Sequence, residues 1–330
     1  VGDFYESFFD DAIITSRVIG LTLTGKECGH DKKAPMCGVP HHVIDNYVNK
    51  LVKKGYKVAL CDQVEDPRKA KGLVKRAITR VVTPGTITDM ESLDTRENNY
   101  LLSIFQNNYG LGISYCDIST GALYTIEIKG SNDLIAKQAI DQIEKINPSE
   151  IIINNDLKLT EIKKYLNINN DIFINYIEDD REYDKRIKTI IEYLGDENLE
   201  KVSDKRLSLV SLANLLDYIY KFYDAKLNHI NNIEVLEISN YLELEANTRK
   251  NLELHRNLNN NSKEDTVLKI LDQADTVMGS RIINEWLERP LIDIEKINRR
   301  LDIVDYFKDN TIDSQNVSNY LSDVYDLERL

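Results

Sequence analysis

The period of the apolar pattern changes along this chain, and that change constrains the fold more than any other feature. Up to about residue 200, short β-branched runs alternate with amphipathic segments. Val43, Tyr47, Val48, Leu51 and Val52 recur at helical spacing ahead of Gly55. Residues 57–61 then read as a buried strand, and residues 80–83 as another, closed by the turn Pro84-Gly85. Residues 112–117 and 122–127 read as a strand pair turned by Ser119-Thr120-Gly121. A helix over 135–146 and the run Ile151-Ile152-Ile153 follow. Beyond about residue 205 only the helical period remains. Leu209, Leu212, Ala213, Leu216, Ile219 and Tyr220 form a stripe wide enough for burial in a bundle. Further helices fit 278–288, stopped by Pro290, and 295–307 and 317–330. No internal repeat is present. Helices between strands imply α/β layers, and the last third implies an all-α region.

At roughly 100–200 residues per domain, 330 residues make two or three domains. The pattern divides them as an α/β domain over 1–89, a polar, acidic linker over 90–98, a second α/β domain over 99–204, and helices over 205–330. The chain opens in mid-pattern at Val1-Gly2-Asp3-Phe4, and its last helical pattern runs to the final residue. Both features predict a piece of a longer protein. No apolar run approaches the ~18 residues of a membrane helix, and no signal-peptide pattern leads the chain. Cys28, Cys37, Cys61 and Cys116 form no CxxC pair and no disulfide framework. Such sparse thiols fit a reducing cytoplasm.

Net charge is −13, which alone argues against a polyanionic partner. The sum hides an asymmetry. Residues 1–90 carry 14 Lys/Arg against 11 Asp/Glu, so the acidic excess lies entirely in the remainder. Between Pro67 and Thr88 there is no acid, yet Arg68, Lys69, Lys71, Lys75, Arg76 and Arg80 fall there. Any nucleic acid should meet the N-terminal part.

Three motifs invite chemistry and fail on inspection. Cys28, His30, Cys37 and His41 or His42 lie close together, but their spacing fits no zinc knuckle, so a loop with ordinary thiols is the better account. Residues 20–27 nearly match a phosphate-binding loop. The hydroxyl that would hold magnesium is Glu27, and the intervening residues alternate like a strand ending at a Gly-Lys turn. Asp117 sits where ribonuclease-H-like nucleases carry a metal-binding aspartate. Two-metal chemistry needs further converging acids, and Glu127, Asp141, Glu144 and Glu150 qualify only by abundance. No nucleophilic triad stands out, so no catalytic residue, cofactor or metal ligand is assigned within these 330 residues.

The most unusual stretch is Gly2-Asp3-Phe4-Tyr5-Glu6-Ser7-Phe8-Phe9-Asp10-Asp11-Ala12. Four aromatics fall within six residues of a chain that is 8% aromatic. Alternation sends Phe4, Glu6 and Phe8 one way, and Tyr5 and Phe9 partly the other. Two readings follow: a buried aromatic cluster with Glu6 at its rim, or an aromatic wedge and a carboxylate offered to a ligand.

That stretch, with Gly38-Val39-Pro40-His41-His42, Asn46-Tyr47, Leu51-Val52 and Val82-Thr83-Pro84-Gly85-Thr86, resembles the bacterial MutS mismatch-repair family. Residues 117–121 resemble the start of that family's connector domain. Residues 247–254, Met278-Gly279-Ser280-Arg281, Trp286-Leu287 and Pro290 resemble its core domain. Val1 and His41 depart from the usual pattern, His41 standing where an aromatic is more common.

The resemblance implies a multidomain fold: an α/β mismatch-recognition domain, an α/β ribonuclease-H-like connector, then all-α core or lever helices. It implies binding of mispaired or looped-out bases in duplex DNA, the first step of DNA mismatch repair. Phe4 would wedge beside the mispaired base and Glu6 would hydrogen-bond it. Lys75, Arg76 and Arg80 would hold backbone phosphates. It further implies a MutL-type partner at the connector, a homodimer for the longer protein and a monomer for this chain. ATP and Mg would act in a C-terminal ATPase domain that this sequence lacks, so the chain itself would not be an enzyme. Localisation would be cytoplasmic and nucleoid-associated, without a membrane. The alternatives are a ribonuclease-H-like nuclease and a MutS paralogue acting in recombination.

Overall fold

The computed structural model describes residues 3–29, 33–65, 72, 74–88, 93–154, 160–168, 172–178, 181–222 and 227–329. They group into two compact units, Val1–Ile87 with Ile219–Ala225, and Thr88–Tyr218 with Lys226–Leu330.

The first unit opens with β1 (Phe4–Phe8), α1 (Phe9–Ile19), β2 (Thr24–Glu27) and β3 (Lys33–Pro40). These strands form an antiparallel sheet in the order β1-β3-β2, which leaves β1 at an edge. Helix α1 has Asp10 and Asp11 in its first turn and Arg17 in its last, matching the helix dipole. It stops at Gly20, whose φ of 73° permits the left-handed cap. Then come α2 (Ile44–Val52), β4 (Val58–Gln63) and β5 (Arg76–Val82), the last two pairing as an antiparallel ribbon. Val48, Leu51 and Val52 of α2 are buried, as their spacing predicts. Thr83 and Thr86 cap the turn at Pro84-Gly85 reciprocally.

The second unit is built on a six-stranded sheet. Its elements are β6 (Tyr100–Asn107), β7 (Gly110–Asp117), β8 (Ala122–Lys129), α3 (Asn132–Ile146), β9 (Glu150–Asn154), α4 (Thr160–Ile168) and β10 (Phe173–Ile177). Next are α5 (Tyr183–Leu194), α6 (Asp196–Val202), α7 (Arg206–Phe222), which belongs to this unit as far as Tyr218, and β11 (Glu234–Leu236). The order is β10-β9-β6-β7-β8-β11, with β6, β7 and β8 antiparallel and the others added in parallel. This is the mixed sheet expected of a ribonuclease-H-like connector. Every residue of β7 is buried, as a strand covered on both faces must be. Ile135, Ala139 and Ile143 of α3 join Leu102, Ile113 and Ile126 in the core.

The opposite face corrects the bundle expected from the stripe on 209–220. Helix α7 lies on the sheet. A Cβ at Gly112 would stand 2.1 Å from Leu207 O, so only glycine admits this approach. Ser114 Oγ meets Ser211 Oγ at 2.7 Å. Glu127, on β8, accepts from the amides of Leu207 and Ser208 at the start of α7 (2.8 and 3.3 Å). The packing therefore carries this layer past residue 204, where the sequence pattern set a boundary, to β11.

The remaining helices are α8 (Ala246–Asn251), α9 (Val267–Leu271), α10 (Val277–Glu288), α11 (Ile294–Asp309) and α12 (Thr311–Leu321). Thr266, Thr276 and Asp293 cap α9, α10 and α11. The helix expected over 317–330 is corrected: α12 ends at Leu321, and residues 322–329 form turns. Long-range ion pairs decide this. Arg281 on α10 binds Asp326 and Glu328, each at 2.6 Å, and Arg329 donates to the carbonyls of Asp94 and Glu97 (3.2 and 2.7 Å). The stretch read as a linker is thus pinned where it is described. No described helix is long and apolar enough to cross a membrane.

Candidate nucleic-acid interface

The edge strand β1 carries different chemistry on its two faces. Its register places Phe4 opposite Pro40, Glu6 opposite Gly38 and Phe8 opposite Met36. Phe4, Glu6 and Phe8 therefore share one face, as alternation predicts. The Phe4 side chain is 50% exposed, far from the burial of a core aromatic. Gly38 lies beside both side chains: a Cβ there would make ordinary contact with Phe4 Cδ1 and Glu6 Cγ, each at 3.7 Å, and would come within 3.3 Å of the Tyr5 carbonyl oxygen.

Phe9 departs from the expected alternation. Its φ is 56°, a strained value for an aromatic, and there the strand gives way to α1. Its ring is exposed instead of joining a second buried face.

Glu6 is not a bare charge. Its Oε2 lies 2.7 Å from Lys26 Nζ, and its side chain is only 15% exposed. The same ammonium stands 5.3 Å from the centroid of the Phe8 ring. On the other face, the Tyr5 hydroxyl donates to Asp62 Oδ1 at 2.6 Å. That hydrogen bond, with partial burial and the Asp62 charge, pushes the phenol up to about 12. Thr79 donates to the second oxygen of Asp62, so β1 is tied to both strands of the β4–β5 ribbon. A cavity of about 420 Å³ lies against this arrangement, lined by Phe4, Tyr5, Glu6, Tyr47, Asp62 and Arg76 among others.

The basic residues divide. Arg76 is exposed at the start of β5 and, like Lys75, makes no side-chain ion pair among the described residues. The Lys75 amide donates to Glu65 Oε1 at 2.6 Å. Arg80 Nη1 is paired with Asp45 Oδ1 at 2.7 Å. Arg68, Lys69 and Lys71 lie outside the described residues.

The motifs rejected from sequence have structural occupations. Gly20 caps α1, and Gly25-Lys26 lies inside β2, not at a turn, with Lys26 committed to Glu6. These residues do not fit a nucleotide phosphate. Cys37 is buried with Sγ 3.1 Å from Ser7 Oγ, Cys28 is exposed, and His30 lies outside the described residues. Asp117 is fully buried and accepts from Ser119 N, Ser119 Oγ and Asn99 N, with Arg329 at 3.4 Å. Asp141 and Glu144 pair with Arg249, and Glu150 accepts from Tyr218. These acids hold separate parts of the fold, which disfavours a two-metal nuclease.

Lys26 and Asp62 were not foreseen from sequence. A signal for Lys26 existed, since a glutamate flanked by Phe4 and Phe8 on one face needs a counter-charge. Nothing in the linear pattern said which lysine supplies it.

Comparison with known proteins agrees along the chain. Profiles described as MutS domain I, MutS domain II and MutS domain III match residues 1–91, 99–231 and 247–330. A relative named DNA mismatch repair protein MutS, from Clostridioides difficile (strain 630), is 41% identical over 332 residues. That alignment covers 100% of this chain and 34% of the relative. The protein of the same name from Acetivibrio thermocellus is 42% identical over 334 residues, covering 100% and 38%. The chain thus spans about a third of the length of these curated relatives. With domains I, II and III matched in order over nearly all its residues, the chain belongs to the MutS family.

Proposed function

We propose that this chain recognises mispaired or looped-out bases in duplex DNA, as the first step of DNA mismatch repair. One observation carries the reading: a half-exposed Phe4 ring and the Glu6 carboxylate share the open face of an edge strand. Inserting a ring at a base step costs unstacking and kinks the duplex. A mispair is already poorly stacked, so insertion costs less there. Stacking on the exposed base returns ~1–3 kcal/mol. A carboxylate near phosphates is unfavourable unless a base N–H meets it, so Glu6 penalises normal duplex. Arg76 and Lys75, with Arg80 once freed from Asp45, supply phosphate contacts that position the duplex without reading it.

In a longer protein, the connector would meet a MutL-type partner, two copies would form a dimer, and ATP with Mg would act in a separate domain. Cytoplasmic, nucleoid-associated localisation belongs to the same reading. The test is fluorescence anisotropy at low salt, comparing a G·T-containing duplex with its fully paired counterpart. Tighter binding of the mispaired duplex supports the reading, and equal binding refutes it.

A further inference from the structure

The Glu6–Lys26 pair spans the whole width of the three-stranded sheet. Glu6 is on β1, opposite Gly38 of the central strand, whereas Lys26 is on β2, opposite Ala34. Positions 34, 36 and 38 of β3 fall on one face, so Phe4, Glu6, Phe8 and Lys26 do as well. The lysine side chain runs diagonally across the sheet, past the Phe8 ring, to reach Oε2 at 2.7 Å. Oε1 makes no hydrogen bond among the described residues. One carboxylate oxygen is held and the other remains free to accept.

We infer that Lys26 is a positioning residue that sets specificity through Glu6; the inference rests on the mismatch-recognition reading above. Two physical effects follow from the contact. The charge-assisted hydrogen bond fixes the carboxylate in one place, so the free oxygen does not have to be ordered when a base arrives. The ammonium also offsets part of the carboxylate charge, which lightens its repulsion of mispaired and paired duplexes alike and leaves the hydrogen bond from a base N–H to decide between them. Without Lys26, the carboxylate swings and repels every duplex, and its hydrogen bond to a mispaired base is made less well. Lys26 thus acts on the ratio of the two affinities, whereas an ordinary phosphate contact acts on both equally.

The experiment measures affinity for G·T-containing and fully paired duplexes with the unsubstituted chain, Lys26→Met, Lys26→Arg, Glu6→Gln and the double variant Lys26→Met/Glu6→Gln. Methionine keeps an apolar stem over Phe8, and thermal unfolding verifies that each variant is folded. Should Lys26→Met not fold, Lys26→Gln takes its place. Lys26→Met should lower the mispaired-to-paired ratio roughly threefold to tenfold, the range of one partly exposed charge-assisted bond. Lys26→Arg should restore the ratio. In the Glu6→Gln background, Lys26→Met should leave the ratio unchanged. A Lys26→Met effect equal on both duplexes, or one persisting in the Glu6→Gln background, would overturn the inference while leaving mismatch recognition standing. No discrimination by the unsubstituted chain would overturn that recognition, and the Lys26 inference with it.

Discussion

The Tyr5 phenol donates a 2.6 Å hydrogen bond to Asp62 Oδ1, which joins the strand bearing Phe4 and Glu6 to the β4–β5 ribbon. Tyr5→Phe is therefore not a silent substitution, although the aromatic pattern alone treats Tyr5 as simple packing. Losing this bond should destabilise the first unit by about 1 kcal/mol. Because the folded state raises the phenol to about 12 from 10.0, the fold holds this proton more tightly than the unfolded chain does. The resulting stability is complete below pH 10 and is lost as pH climbs toward 12. Denaturant unfolding from pH 8 to 12 should show an alkaline decline that is reduced in Tyr5→Phe. An identical decline in both proteins would assign it to other groups.

Phe4→Ala removes a ring that is already half in solvent, so its stability cost should be small. Its effect belongs to binding. Affinity for a G·T duplex should fall by the ~1–3 kcal/mol of one base–aromatic contact. Affinity for paired duplex should change little, because a stacked step seldom admits the ring. Unchanged discrimination in a folded Phe4→Ala protein would reduce the β1 aromatics to ordinary packing.

Glu6→Ala should act in the opposite sense on paired DNA. It removes an acceptor for the mispaired base and frees the Lys26 ammonium from its partner. Paired-duplex affinity should hold level or rise while discrimination falls. The same anisotropy titrations read both quantities, and a fall in paired-duplex affinity would contradict the role given to the carboxylate.

Arg80 is occupied by Asp45, whereas Arg76 is not. Both members of the Arg80 pair are substantially exposed, so the pair contributes only ~0.2–1 kcal/mol to stability. Asp45→Asn should release Arg80 for phosphate. Affinity should rise about equally for both duplexes, and the slope of log K against log salt should steepen by up to ~1. An Arg80→Ala background should abolish the gain. A change in discrimination, or no change in slope, would remove Arg80 from the phosphate contacts.

How much of this was legible depended on whether a signal was local. The hairpin β7–β8, helix α2 and helix α10 follow from period and from the breakers Gly55, Gly121 and Pro290. Strand β6 escaped notice because Leu101, Leu102 and Ser103 are all buried, so no alternation marks it. The stripe on α7 gave a helix but not its partner; the close approach at Gly112 shows that the partner is a sheet. At the site, residue type and alternation put Phe4 and Glu6 on one face but left a buried cluster and a ligand-facing wedge both open; only the family resemblance singled the two out. Lys26 could not be chosen, because its link to Glu6 needs the β1-β3-β2 register, twenty residues along the chain. Arg80 was legible as a cation, but its pairing with Asp45, thirty-five residues away, was not.

The turn that ends the second unit offers the largest stability effect. Arg281 is 3% exposed and binds both oxygens of Asp326 (2.6 and 2.8 Å), Glu328 (2.6 Å) and the Thr95 carbonyl (2.7 Å). One guanidinium thus joins α10, the stretch before β6 and the turns after α12. Arg281→Met keeps much of the volume but leaves the Asp326 carboxylate buried without its partner. Breaking a buried pair from one side costs ~3–5 kcal/mol, so the melting temperature should drop by about 10 °C. The pH dependence has a fixed sign. The hydrogen bond from Arg281 holds the Asp326 carboxyl below its ordinary 3.8, despite the opposing effect of burial. Stability from the pair is therefore complete above that value and lost as pH falls beneath it. Asp326→Asn should lower stability at pH 7 and flatten the acid limb of the unfolding curve below pH 4. Calorimetry across pH 2–7 measures both effects. If Arg281→Met melted with the unsubstituted protein, residues 322–329 would be held by the Arg329 contacts alone.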